Sequence, residues 1–229
     1  MRNLKSHYEE RLFDANKAKS TEVVVRRLEV DDLAAVVRIH TAAFPGSALT
    51  LLGAEALRRY YTWQLLGPHE VVPSGAFIGN DLVGFSFSGV FRGATSGFLK
   101  RNRAYLIARL LSHPWLISNP LIRERLRLGA RILRKKESTA HRAQESVVSQ
   151  RTSFGILAIA VDPSVQRSGV GQELMRTAEI SASTLGFDQM HLTVSPDNHQ
   201  AIRFYEKLNW KKSPSLDRWT GSMRKALRS

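Results

Sequence analysis

The stretch ILAIAVDPSVQRSGVGQELMRTAEI, Ile156 to Ile180, constrains the fold of this chain more than any other. A β-branched apolar run stops at Asp162-Pro163. A turn carrying Gln166, Arg167, Gly169 and Gly171 follows, and a helical pattern starts at once. A buried strand feeding a helix through a glycine turn belongs to sheets flanked by helices. N–H groups at such a helix start have no partner inside the helix, and the helix dipole makes them a cradle for an anion. Glycines at 169 and 171 remove the Cβ atoms that would hold a pyrophosphate away, and Arg167 adds a charge at a position read as conformationally unconstrained. An ordinary turn packed with small residues explains the same letters, so both readings stay open on the turn alone. There is no G-x-x-x-x-G-K-[ST] and no G-x-G-x-x-G followed by an acid, which removes the nucleoside triphosphate and dinucleotide loops.

The rest of the chain places this unit. EVVVRRLEV (Glu22 to Val30) reads as a strand, and Asp31 or Asp32 can cap the helix that follows up to Phe44. Gly53 to Gly67 reads as a second helix, and GAFIGNDLVGFSFSGV as two strands joined at Gly79-Asn80-Asp81. After the glycine turn come a helix to about Leu185, the strand DQMHLTV, the helix NHQAIRFYEKL and a terminal strand pair. Strands alternating with helices after an N-terminal hairpin predict α/β or α+β with a mixed sheet. Residues 1–20 read as an N-terminal extension. Residues 21–229 read as one domain, with a helical insertion at 91–152 between the third and fourth strands.

Composition narrows the class. With 43% hydrophobic residues in 229, the chain can build a core. It has no cysteine, which excludes disulfides and a cysteine nucleophile and fits a reducing cytoplasm. The charged N-terminus is not a signal peptide, and no apolar run approaches the ~20 residues of a membrane span. The expectation is a cytoplasmic protein, soluble or peripheral, without a metal: the histidines lack ligand spacing.

Downstream, SPDNHQAIRFYEKLNWKK carries Asn198, Ala201, Tyr205, Asn209 and Trp210. With the Q-x-x-G-x-G turn about 30 residues earlier, this resembles the GNAT (Gcn5-related N-acetyltransferase) superfamily, whose pattern there runs N-x-x-A-x-x-x-Y-x-x-x-G-F. Asn209-Trp210 replaces Gly-Phe, a change that a helix end tolerates. The stretch HTAAFPGSALTLLGAEALRRYY resembles, more faintly, bacterial members connected with surface polysaccharide or amino-sugar acetylation.

The resemblance implies an α+β (mixed α/β) fold with a central, mostly antiparallel sheet flanked by helices, and an acetyl-CoA-dependent N-acetyltransferase in which an acceptor amine attacks the thioester directly. It implies that the backbone of Gln166, Arg167, Ser168, Gly169, Val170, Gly171 and Gln172 binds the pyrophosphate. Ile159, Ala160 and Val161 would pair with the pantetheine arm, Asn198 would meet the cofactor from the other side, and Tyr205 would be the general acid. A half-buried helix aromatic is the plainer reading of Tyr205. Family members often carry a glutamate on the strand before the turn, but FGILAIAV has no acid. The base is therefore open between His40, His191 and a water chain. A non-catalytic acyl-CoA-binding module with a basic membrane- or nucleic-acid-binding insertion is the alternative. The expected partner is a small-molecule amine, with an anionic acceptor and a homodimer as further readings and no specific nucleic acid.

Of the formal charge of +14, residues 100–136 hold +10. In their second helix, opened by Asn119-Pro120, Leu121, Ile122, Leu126, Leu128, Gly129, Ile132 and Leu133 fall on one face, with Arg125 among them. A cap with solvated charges, a peripheral contact of 100–136 with anionic lipid, a phosphate pocket using Arg125 and a nucleic-acid patch all fit this pattern.

Overall fold

The structure, a computed structural model, describes residues 22–91, 93–134, 153–214 and 218–227; the 1–20 extension and most of the polar segment before the fourth strand lie outside these. Strand β1 (Val23–Arg27) leads through a 3-10 turn into α1 (Leu33–Ala43), followed by α2 (Ala48–Leu52) and α3 (Ala54–Leu66). The hairpin β2 (Glu70–Ile78) and β3 (Asp81–Val90) turns at Gly79-Asn80. The insertion then supplies α4 (Ala94–Arg101), α5 (Arg103–Ser112), α6 (Trp115–Ser118) and α7 (Pro120–Arg134). Then come β4 (Ser153–Val161), α8 (Val170–Thr184), β5 (Gln189–Thr193), α9 (His199–Lys207), β6 (Lys211–Lys212) and β7 (Ser222–Ala226).

The strands form one sheet in the order β1-β2-β3-β4-β5-β7-β6. Among the described residues only β4 and β5 pair in parallel, and they pair over Ser153–Ile156 and Gln189–Leu192 alone. The N-terminal half of β4 is thus joined to β5, and its C-terminal half, Leu157 to Val161, leaves it. The same half stays paired with β3, through a bulge that gives Leu157 no partner between Ile156↔Ser88 and Ala158↔Phe87.

Side-chain alternation assigns the two faces. Phe85, Phe87 and Ala160 pack with Leu33, Val36 and Ile39 of α1 and with Leu57 and Tyr61 of α3. On the other face, Val83 meets Val170 and Leu174 of α8, packed with Ile159 and Val161. Phe154, Ile156, Met190, Leu192 and Met223 continue that face under α8 and α9.

Two expectations change. Neither Asp31 nor Asp32 caps α1: the Asp32 carboxylate instead accepts the Glu29 N–H at 2.8 Å and a forked pair from Arg26. The insertion has four helices where the periodicity suggests two, because Asn102 interrupts one helical run and the prolines cut the rest. Asn119 lies at ψ 124°, the extended conformation imposed before Pro120, and its Oδ1 accepts the Leu121 N–H.

The insertion docks on the outside of α2 and α3. The Trp63 indole donates to the Ala94 carbonyl, Gly97 lies against the same ring, and Arg109 donates to the Leu52 carbonyl. Ile122 is buried, but Leu126 and Leu128 are exposed, and so is Arg125. Arg125 thus stands exposed beside Leu126 and Leu128 and is not enclosed against the domain.

Candidate active site

The end of β4 and the start of α8 are fixed by one carboxylate. Asp162 accepts from the Ser164 N–H (3.0 Å) and hydroxyl (2.7 Å) through Oδ1, and from Arg38 of α1 through Oδ2 at 2.6 Å. The Ser164 bonds, with Arg38 beside them, hold its pKa below the ordinary carboxylate value. Ser168 Oγ–H closes the loop by donating to the Val165 carbonyl.

With the loop held this way, the N–H groups from Gln166 to Gln172 donate to no acceptor among the described residues; the first helical bond is Glu173 N–H to the Gly169 carbonyl. Seven consecutive amides are therefore available at the N-terminus of α8, where the dipole favours an anion. Gly169 lies at φ 87° with no atom within 4 Å of where a Cβ would stand. Arg167 lies at φ 69°, a left-handed conformation that costs a non-glycine residue about 1–2 kcal/mol. The position is constrained, contrary to the sequence reading. Asn209, at φ 65° after α9, fits the expectation, since asparagine adopts this conformation readily.

A Cβ at Gly171 would lie 3.4 Å from Phe204 of α9 and 3.6 Å from Val161 of β4. Gly171 thus stands within contact distance of both the end of β4 and α9. Along β4 the backbone groups alternate. Asp162 N–H donates to the Val83 carbonyl, so Asp162 and Ala160 turn theirs to β3, while Ile159 and Val161 turn theirs into the gap. A groove of about 220 Å³, lined by Gly169, Gln172, Glu173, Met175, Arg176, Glu179 and Leu208, runs on from the cradle beside α8, with Glu173 paired to Arg176 and Glu179 to Lys225.

The other candidate residues separate clearly. Tyr205 is buried in the α8–α9 core beside Phe204 and Trp210, and burial raises its pKa to about 12. Asn198 caps α9, its Oδ1 accepting the Ala201 N–H at 3.0 Å, and the residue is exposed.

His40 is buried, with both ring nitrogens engaged: Nδ1 at 2.8 Å from the Tyr61 hydroxyl and Nε2 at 3.1 Å from Ser47 Oγ. The chain of donors assigns its tautomer. Thr50 donates to the Phe44 carbonyl, so Ser47 donates to Thr50, His40 Nε2–H donates to Ser47, and Tyr61 donates to Nδ1. Burial lowers the His40 pKa to about 4. This is a neutral histidine tying α1 to α2 and α3, with no nitrogen left for a substrate, so the expectation of His40 as base is corrected.

His191 differs. It pairs with Gly155 in the parallel ladder and with Arg224 in β7, on the face opposite Met190 and Leu192, where no helix among the described residues covers β5. The residue is exposed, and its ring lies against Gly155. Desolvation of the ring, then the Arg224 charge, lowers its pKa, while a hydrogen bond to the Phe154 backbone opposes them. Sequence reasoning missed Gly155, Arg38 and Arg224, and it met Phe204 in the downstream stretch without giving it a role. Only Gly155 carried a signal, being a glycine inside a strand, which marks a close approach.

Comparison with known proteins follows this geometry. A model of the Acetyltransferase (GNAT) family matches residues 138–210, which include β4, the cradle, α8, β5 and α9. No curated protein matches the sequence. Among solved structures, the PaiA N-acetyltransferase of Thermoplasma acidophilum in complex with coenzyme A is 14% identical, over 90% of this chain and 99% of that one, with a TM-score of 0.53. The ribosomal-protein-S18-alanine N-acetyltransferase of Escherichia coli is 16% identical over 91% and 96%, TM-score 0.52. YncA of Salmonella typhimurium, with acetyl-CoA, is 15% identical over 90% and 94%, TM-score 0.51. The fold is that of the GNAT acetyltransferases.

Proposed function

We propose that the chain is an acetyl-CoA-dependent N-acetyltransferase in which an acceptor amine attacks the thioester directly. One observation carries this reading: seven partnerless amides, Gln166 to Gln172, stand beside a gap between two parallel strands. Proteins of the same fold hold CoA or acetyl-CoA, which supports the assignment of the ligand.

In this reading the amides and Arg167 take the pyrophosphate, and the groove along α8 takes the adenosine end. Val161 and Phe204 admit the pantetheine arm over Gly171. Ile159 and Val161 pair with it as with an added strand, one of their N–H groups polarising the thioester carbonyl. Asn198 flanks the arm from the start of α9.

The two faces of the gap divide the proton chemistry. On the open face, His191 takes the proton from the amine as the N–C bond forms. On the α9 face, Tyr205 gives its proton to the thiolate as the C–S bond breaks. Arg224 lowers the cost of deprotonating both His191 and an incoming ammonium. It also gives the open face a cation for an anionic acceptor, such as a phosphorylated or nucleotide-linked amino sugar.

Isothermal titration with acetyl-CoA, followed by a thiol-release assay on a panel of amines, tests the proposal. Failure of folded protein to bind acetyl-CoA overturns it. Binding without turnover of any amine leaves the non-catalytic module instead. Arg224→Ala should raise KM about tenfold for a phosphorylated amino sugar and leave KM for its unphosphorylated form unchanged, any change in kcat being common to both; equal effects on the two KM values would remove the anionic acceptor.

A further inference from the structure

Helix α5 turns a mixed side inward. Tyr105, Leu106, Arg109 and Leu110 are half-buried, with Arg59 stacked on Tyr105 and Arg109 bonded to Leu52. Its outward side is Arg103, Ala104, Ile107, Ala108, Leu111 and Ser112, apolar between its two polar ends. Leu111 is 75% exposed, and Trp115, at the corner into α6, is 64% exposed. With Ile107 and Ile117 they form a run of large apolar side chains in open solvent, whereas soluble surfaces scatter such residues singly.

The charge around this run has one sign. From residue 94 to 134 there are nine Lys or Arg and one acid, Glu124. Arg103, Arg123, Arg125 and Arg127 are exposed and have no carboxylate partner among the described residues. No helix among those residues is long and apolar enough to cross a membrane.

We propose that this face of the insertion is a peripheral membrane surface, with Ile107, Leu111, Trp115 and Ile117 set into the headgroup boundary and the arginines on anionic phosphates around them. An apolar centre with an exposed tryptophan and a cationic surround fits the two attractions an anionic bilayer offers. A second copy of the chain fits less well, since burying the two faces together would oppose like charges. A nucleic acid fits less well because the centre of the patch is aliphatic and aromatic, which phosphate contacts do not use. The inference is independent of the acetyltransferase reading.

The test uses the full chain with phosphatidylcholine vesicles, with and without phosphatidylglycerol. Binding is expected only to the anionic vesicles, fading as ionic strength rises. The double variant Leu111→Gln/Trp115→Gln, which changes no charge, should weaken that binding at least tenfold while keeping the thermal midpoint. Absence of binding to phosphatidylglycerol vesicles overturns the proposal. So does equal binding by the double variant, which would reduce the contact to charge adsorption. Salt-sensitive binding to duplex RNA in place of vesicles, or a dimer that the double variant dissolves, overturns it in favour of those partners.

Discussion

Gly155 and His191 are register partners across the parallel strands, and the imidazole covers the glycine so closely that a Cβ there would stand 2.9 Å from Cε1 and Nε2. The pair lies one residue before the strands part, on the face opposite Met190 and Leu192. A glycine in mid-strand thus gives a histidine its seat at the apex of the gap.

If His191 is the base, His191→Gln should lower kcat about 10²-fold or more with acetyl-CoA affinity unchanged. The wild-type rate should fall on the acid side, where the imidazole protonates. That limb should sit below the ordinary histidine value, because desolvation and Arg224 lower this pKa. The variant should lose the limb. A retained limb would assign it to another group. Gly155→Ala, which must displace the ring, should lower kcat without touching cofactor binding.

Tyr205→Phe keeps the packing against Phe204 and Trp210 and removes the proton donor. A kcat lower by about 10²-fold is expected, with little change in acetyl-CoA affinity or stability. Since burial raises this hydroxyl to about 12, no alkaline limb from Tyr205 should enter the profile below pH 10. An unchanged kcat under chemistry-limited conditions would return the residue to the core.

Arg167→Gly separates backbone strain from ligand charge. Releasing the left-handed arginine gains about 1–2 kcal/mol, and the freer unfolded glycine takes back about 0.4–1. Urea unfolding should show equal or slightly higher stability, while titration shows weaker acetyl-CoA binding. Gly169→Val should abolish detectable binding, because its side chain would occupy the space over the amides; a binding-competent Gly169→Val would remove the cradle from the site.

His40 should register in stability instead of turnover. Its folded pKa of about 4 lies below its ordinary 6.5, so the unfolded chain binds the proton first as the solution is acidified. Its contribution is fully present above pH 6.5 and is lost as pH falls towards 4, by about 3 kcal/mol over that window. Unfolding curves of the wild type and His40→Leu between those limits check this: the variant, less stable throughout, should show a shallower slope.

The strand-turn-helix and the spacing from Asn198 to Trp210 were legible because the chemistry is local and carried by residue type. The same holds for the helix start at Asn119-Pro120 and the left-handed Asn209. Other features depend on partners far apart in sequence. Arg38 reaches Asp162 across 124 positions, and the donor chain through His40 closes only when Ser47, Thr50 and Tyr61 converge. A helical wheel orders the side chains of α7 around its axis but does not say which side docks, so the exposure of Arg125 was not legible. The bulge at Leu157 has no mark in the letters at all, since leucine is an ordinary strand residue.

That bulge fixes the parity of β4. A strand counts in twos, so one supernumerary residue decides whether every later side chain falls on an odd or an even face. With Leu157 present, Ala158 and Ala160 meet the aromatics under α1, and the backbone of Ile159 and Val161 opens onto the gap. Excising Leu157 would remove the bulge yet leave Ala158 opposite Phe87 and every later residue on its present face, because the two strands would then advance one residue for one. Excising a second residue would transpose small for large on both faces and turn the gap-facing amides back into the sheet. The strand thus tolerates the loss of one residue here better than the loss of two, a constraint of arithmetic that no single side chain carries.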